Sequence, residues 1–372
     1  MKIVKIIVVF VAVMMLLDPV SVYADEIENY LKDTDKSLSD VIPSEADELL
    51  EQNDISLENS QNVSKLSVSY WINLVKDIFF EKIEQPLKLL GQMLIIILTL
   101  TLIKSLMEGS ELDSLLSVIG ALASVGILYT SLSECVNIVN ETITSASVFM
   151  YTYVPIFSSI LSAGGCATSG ITYYVIILAV CEIIGYITKN MLLPFLGFTV
   201  AASIAEAINP SFLGVNLSGS LKNISKWILG FITTVFIGVI SIQGILGTAA
   251  DTLGTRAIKF AASSFIPVVG GAMSEAYSTF FGSVSFIRSG VGAVGIVVLL
   301  FTVLSPLISV LCLKIVLSVS KGVSAFFGQQ SISSLLSGIN SVLSIILGII
   351  ACFTIVFVIA TAVMMMLSMN MV

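Results

Sequence analysis

The sequence contains no histidine and no Cys-x-x-Cys pair. Its five cysteines, Cys135, Cys166, Cys181, Cys312 and Cys352, are scattered, and three of them (Cys181, Cys312 and Cys352) fall inside apolar runs. There a thiol behaves as a small hydrophobe. Neither a zinc site nor a disulfide framework is indicated. No nucleophile–base pair, metal-ligand spacing or phosphate loop occurs, so neither enzyme activity nor a cofactor is expected.

Charge is equally scarce. Only 11% of the 372 residues are Asp, Glu, Lys or Arg, while 56% are hydrophobic. Soluble domains carry roughly 25% charged residues, so a soluble fold is excluded. With a mean hydropathy of +1.03, the expected fold is an all-α polytopic membrane bundle. From Gly322 to Val372 there is no charge at all. The net charge of −8 is a local matter: Asp25–Glu58 holds twelve acids against two lysines, which leaves the rest at +2. With no basic cluster to neutralise phosphates, nucleic-acid binding is unsupported.

What is present begins with a secretory pattern. In residues 1–24, Lys2 and Lys5 precede the apolar stretch Ile6–Leu17, and Val22-Tyr23-Ala24 offers small residues for cleavage. The apolar stretch is twelve residues, short of the roughly 20 that span a bilayer. Cleavage is therefore expected rather than an uncleaved anchor, and either reading leaves Asp25 outside. Residues 25–62 are acidic and polar, a composition that favours weak order or a short helix folding on a partner. Within 63–86, Val68, Trp71, Ile72, Val75, Ile78, Phe79 and Ile83 recur at helical spacing opposite polar residues. This reads as an amphipathic helix in the membrane interface, with Trp71 as anchor, or as a helix for a partner's groove.

Residues 87–372 hold apolar runs at roughly 89–107, 115–132, 148–163, 170–188, 191–208, 227–249, 291–313 and 339–367, or about seven to eight spans. With Asp25 outside and eight spans, Lys222, Lys226, Lys314 and Lys321 fall inside. Lys189, Arg256, Lys259 and Arg288 then fall outside, a nearly balanced distribution. Two segments echo each other, 217–230 and 336–348, each leading into a long apolar helix. A duplicated unit and chance similarity in a Leu/Ile/Gly/Ser-rich chain both account for this.

The stretch 250–290 is too polar for an ordinary span and too apolar for an ordinary loop. Pro267 lacks an N–H, and Gly270 with Gly271 removes side chains just after it, so a helix entering at Ala257 should break near 266–271 and restart. Broken backbone at membrane depth survives only against protein or a water-filled cavity. This makes 257–288 a broken or re-entrant segment and Pro267, Gly270 and Gly271 the candidate gate. Gly290-x-Gly-x-x-Gly295 matches a dinucleotide pattern, but no acid follows and a span does. The glycines instead suit close helix packing.

Three charges are candidate site residues. Glu182 lies mid-span, where a carboxylate should face the bundle interior or water. A pore-lining or proton-relay acid and a hydrogen-bonded buried acid are equal readings. Arg256 and Lys259 share a helical face and either line a vestibule or snorkel to the interface. Glu206, near Asn209-Pro210, reads as an interfacial acid.

These residues together carry a family resemblance. A secretory start, an acidic outer segment, Trp227–Gly244, Ala250-Asp251, Lys259-Phe260 and Ser264-Phe-Ile-Pro-Val-Val-Gly-Gly271 resemble the stage III sporulation protein AE family. The resemblance covers about residue 65 to the end and is sharpest over 225–295. It implies a multi-pass protein of the mother-cell membrane around the forespore. Its implied partners are the other subunits of the stage III A complex, including an ATPase and ring-forming proteins, and, indirectly, a forespore protein called Q. The implied role is a channel or export-gate subunit, alone or as a homo-oligomer in membrane lipid. The family carries no assigned catalytic residues. Two other readings stand beside it: a secondary transporter coupled through Glu182, and a non-conducting scaffold recruiting partners through 25–86.

Overall fold

A computed structural model describes residues 35–106, 113–208, 217–265 and 270–369. The elements are α1 (Ser44–Gln52), a 3₁₀ turn (Ser60–Lys65), α2 (Val68–Lys82), α3 (Glu84–Leu106), α4 (Asp113–Ala163), α5 (Ala167–Ile187), α6 (Leu193–Ile208), α7 (Leu217–Phe265), α8 (Gly270–Phe326) and α9 (Gln330–Met369). No strand occurs among the described residues. The expected signal segment 1–24, residues 25–34 and Pro267 lie outside them.

Among the described residues, six helical segments are long and apolar enough to cross a membrane: 84–106, 115–163, 167–208, 217–254, 287–326 and 330–366. The apolar runs 115–132 and 148–163 are one helix, not two spans joined by a loop. The polar stretch between them contains neither Gly nor Pro, so nothing breaks the helix. Its polarity lies on one face: Glu134, Asn137 and Glu141 are exposed while Cys135, Val139 and Ile143 are buried. Likewise 170–188 and 191–208 are joined through a π turn at Thr188–Leu192. It lies just before Pro194, which cannot donate to the carbonyl one turn back, and such defects widen a helix without ending it.

Of the two readings of the acidic stretch, weak order or a short helix, residues 35–62 contain a short helix packed within the chain. Leu38, Ala46, Leu50, Ile55 and Leu57 are buried, and α1 packs on α8. Polar links close the unit: Asp35 accepts from the Leu57 N–H at 2.9 Å, and Asn53 donates to Tyr70 Oη at 2.7 Å. Enough apolar side chains lie among the acids to offset the ordering entropy. α2 is helical as expected, with Ser67 accepting from the Tyr70 N–H as its N-cap. The Trp71 ring packs on Phe301 of α8 at 5.4 Å.

The core is centred on α8 and α9, which pack on each other and on α4 and α7. An aromatic column runs through it. Phe149, Tyr153 and Phe157 stack at 5.4 and 5.7 Å, and Phe157 meets Tyr173 edge-on at 5.3 Å. Tyr153 Oη donates to the Val291 carbonyl, and Tyr173 Oη pairs with Thr361 Oγ1 at 3.1 Å. The three glycines of 290–295 are packing sites: Gly290 faces Ser60, Gly292 faces Met365 and Phe157, and Gly295 faces the Tyr153 ring. The echoing segments also lie side by side, with Gly348 against Leu229.

Glycine positions give a direct test of this packing. A Cβ at Gly170 would sit 2.8 Å from the Ser158 carbonyl oxygen, whereas at Gly126 it would meet nothing within 4 Å. Gly170→Ala should therefore lower the melting midpoint in detergent. Gly126→Ala should raise stability by about 0.5–1 kcal/mol through helix propensity. Equal midpoints for the two variants would contradict the helix arrangement described.

Candidate functional site

α7 and α8 meet the rest of the bundle at the short turn between α4 and α5. The turn is Gly164-Gly165-Cys166, with Gly165 at φ +80°, a conformation that favours glycine. Gly247 of α7 has no side chain, so the helix approaches Ser169 closely enough that a Cβ there would lie 3.1 Å from its Oγ. One turn later Asp251 reaches the start of α5. Its two carboxylate oxygens accept from the backbone N–H groups of Thr168 and Ser169, each at 2.8 Å. Asp251 is 7% exposed. A buried carboxylate on free N–H groups at a helix start satisfies orphan donors and complements the dipole. Cys166, which precedes the helix, makes no side-chain cap.

Arg288 approaches the same turn from α8. It is 1% exposed, and its Nη1 donates to the Gly164 carbonyl at 3.3 Å and to Cys166 Sγ at 2.6 Å. Its Nε and the Ser169 Oγ are buried with no hydrogen-bond partner among the described residues. Burial pushes the Cys166 thiol up to about 11; the Arg288 cation opposes the shift and Asp251 adds to it. The group therefore stays a protonated thiol at neutral pH, poor as a nucleophile. Both arms of the segment 251–288 are thus pinned at their bases to one turn.

Beyond that base α7 continues to Phe265 and α8 begins at Gly270. Leu253, Arg256 and Phe260 are exposed. Gly270 and Gly271 are the first two residues of α8, and Lys259 lies on α7. The described geometry does not bring Glu182 to this region.

Glu182 does not face the bundle interior. α5 turns Tyr173, Ile177, Val180, Cys181 and Ile184 inward, which leaves Glu182 on the exposed face. There it accepts from Tyr151 Oη of α4 at 2.8 Å. Glu206 takes a structural role at the opposite end of the molecule, where it accepts from the Ser218 N–H and Oγ, each at 3.0 Å, and caps α7.

Two polar clefts were not anticipated from the sequence. One, of about 520 Å³, is bordered by Glu84, Lys88, Ser131, Glu134 and Ser309. The other, of about 330 Å³, is bordered by Glu45, Lys82, Glu141, Thr142, Ser305 and Ser309. Lys82 pairs with Glu81 at 3.0 Å and Glu45 at 3.4 Å. Burial works against its charge, but the two carboxylates outweigh it and hold the ammonium above its ordinary range. The missed signals were the exposed polar face of α4 and the Gly247-x-x-x-Asp251 spacing at a span's end.

The buried turn is open to two checks. Asp251→Ala removes two charge-assisted bonds and should cost about 2–3 kcal/mol, read as a lower melting midpoint in detergent. An unchanged midpoint would mean that the carboxylate does not hold α5. Cys166 should resist maleimide at pH 8 in the folded protein and react on unfolding. Rapid labelling of the native protein would contradict its burial beneath Arg288.

A sequence profile described as Stage III sporulation protein AE (spore_III_AE) matches residues 51–368. Stage III sporulation protein AE of Bacillus subtilis (strain 168) is 22% identical over 290 residues, which is 77% of this chain and 73% of the relative. No solved structure matches. The profile spans most of the chain, including the α4–α5 turn and the segment pinned to it, and the chain belongs to the stage III sporulation protein AE family.

Proposed function

We propose that this sporulation membrane protein is the channel or export-gate subunit of the multi-protein complex that connects mother cell and forespore, with the gate at 257–288. The observation that carries this reading is the buried base of that segment. Asp251 and Arg288 tie α7 and α8 to one turn, while Leu253, Arg256 and Phe260 beyond it are exposed. A fixed base with exposed residues just beyond it, followed in the sequence by a proline and two glycines, supports a lever, because packed cores shift between discrete arrangements and do not deform continuously. The other subunits of the complex, its ATPase and ring-forming proteins, are the partners of that tip.

Charge placement supports an extracytoplasmic N-terminus. The ammonium of Lys222 feels those of Lys226, Lys314 and Lys321, and Lys104 lies near the end of α3, where Thr101 meets Gln329. Clustered lysines favour the cytoplasmic side, and residues 35–82 lie toward the other end, where Ser60 meets Gly290. A transporter coupled through Glu182 fits less well, because the carboxylate faces outward.

Gly270→Leu with Gly271→Leu should block sporulation while the protein still accumulates in membranes. Gly270→Ala with Gly271→Ala should block it less. Normal spore counts from the leucine pair at normal protein levels would sink the gate assignment.

A further inference from the structure

The helices are about twice as long as a membrane is thick. At 1.5 Å per residue, the 51 residues of α4 extend about 77 Å and the 40 of α9 about 60 Å. The helical segment 167–208, 42 residues long, extends about 63 Å. A bilayer's hydrocarbon core is about 30 Å. Tilt alone cannot absorb a twofold excess, since typical tilts are about 20°.

The charges mark where the excess lies. Midway along the bundle, the larger cleft brings Glu84 and Lys88 beside Glu134 and Ser309, and the smaller brings Lys82 beside Glu141. Lys189 sits at the same fraction of its helical segment, 22 residues after Ala167 and 19 before Ile208. From this belt to the lysine end, Lys88 to Lys104 is about 24 Å, Glu134 to Asp113 about 32 Å and Lys189 to Ile208 about 29 Å, while Ser309 to Lys321 on α8 is about 18 Å. Three of the four are close to one hydrocarbon thickness.

Three features of the other half do not suit lipid. Glu182 and Tyr151 form a hydrogen-bonded pair on its outer face. α2 runs along α8 from Phe301, against Trp71, to Cys312, whose Sγ lies 3.9 Å from the Phe79 carbonyl, and it exposes Lys76, Asp77 and Glu81. The acid-rich unit 35–66 is packed there too, with Ser60 on Gly290. A carboxylate or ammonium facing acyl chains is costly, and here several would do so together.

We propose that the bilayer surrounds only the half of the bundle between the belt (Lys82, Glu84, Lys88, Glu134, Lys189) and the lysine end (Lys104, Lys222, Lys226, Lys321). The other half, from Tyr151 and Glu182 to Asp251 and Arg288, stands outside the membrane on the side of residues 35–82. Its apolar surface positions meet water or protein, not acyl chains. This seating does not depend on the gate reading; it follows from helix length and the heights of the charges.

Ile171 and Val175 decide the matter, because both are apolar and exposed, at 62% and 57%, in the half placed outside. A helix fully in lipid would bury them in acyl chains. Leu98 and Ile119, at 44% and 57%, are their counterparts in the membrane half. Ile171→Cys, Val175→Cys, Leu98→Cys and Ile119→Cys would each be labelled with an environment-sensitive fluorophore in the full chain. The five native cysteines are buried, and the unsubstituted protein gives the background. The proteins would be reconstituted in bilayers with and without brominated acyl chains. The expected result is loss of fluorescence at 98 and 119 and none above background at 171 and 175. The readout reports lipid contact alone, so cover by protein at 171 and 175 also leaves them unquenched. Quenching at 171 and 175 as deep as at 98 would overturn the proposal, and so would absence of quenching at 98 and 119.

Discussion

The Asp251 carboxylate on the first N–H groups of α5 is the contact on which the far end of the bundle depends. It joins residues 82 and 83 positions apart through two bonds of 2.8 Å. Without it, the start of α5 would keep free donors in a buried place, at a penalty of about 1–3 kcal/mol for each. Gly247 favours the contact, because a Cβ there would lie 3.1–3.4 Å from Ser169 and α7 or Ser169 would have to give by a few tenths of an ångström. Arg288 closes the other side of the same turn, and its cation and the Asp251 charge act on Cys166 in opposite directions. The path of α7 into the segment 251–288, and the return of α8 from it, are both set there.

Above this turn the packing follows from small residues and rings. Gly292 and Gly295 make room for Phe157 and Tyr153, so α8 lies directly on the aromatic column of α4. The pattern Gly-x-Gly-x-x-Gly carries a steric instruction and no phosphate chemistry. Tyr153 and Tyr173 each place a hydroxyl on a buried acceptor or partner. That fixes the rotation of α4 and α5 about their axes, because a ring turned elsewhere would strand its hydroxyl. The outward position of Glu182 is a consequence. With Tyr173, Ile177 and Ile184 held inward, position 182 has no route to the interior.

Helical class and membrane character were legible from composition; the break expected near Pro267 falls on residues outside those described. Span counting misled because it treats polarity as a loop signal. In 133–147 the buried positions Cys135, Val139, Ile143 and Ala146 recur at three- and four-residue steps, and the polar residues fill the other face. Periodicity, not mean hydropathy, was the relevant measure there. In the acidic stretch, net charge concealed the five apolar residues that pack residues 35–62. The buried turn was not legible at all. Asp251, Cys166 and Arg288 are far apart in the chain, and only the helix arrangement brings them together.

Helix length ties these observations into one arrangement. A continuous α4 cannot cross a bilayer twice, so its polar middle has to lie somewhere along a single rise of about 77 Å. A polar face on one side of an unbroken helix is stable where water or charged neighbours reach it, and Glu84, Lys88 and Lys82 supply those neighbours. Set at the headgroup level, this belt leaves one bilayer thickness to the lysine end and a comparable height on the other side. The pinned turn of Asp251 and Arg288 then lies at the far end of that second half, distant from lipid. Buried charges there are held by protein contacts. A gate at 257–288 would then act on cargo and partners in the aqueous space beside the membrane. That position suits a protein whose outer half is clad by its own acidic N-terminal unit.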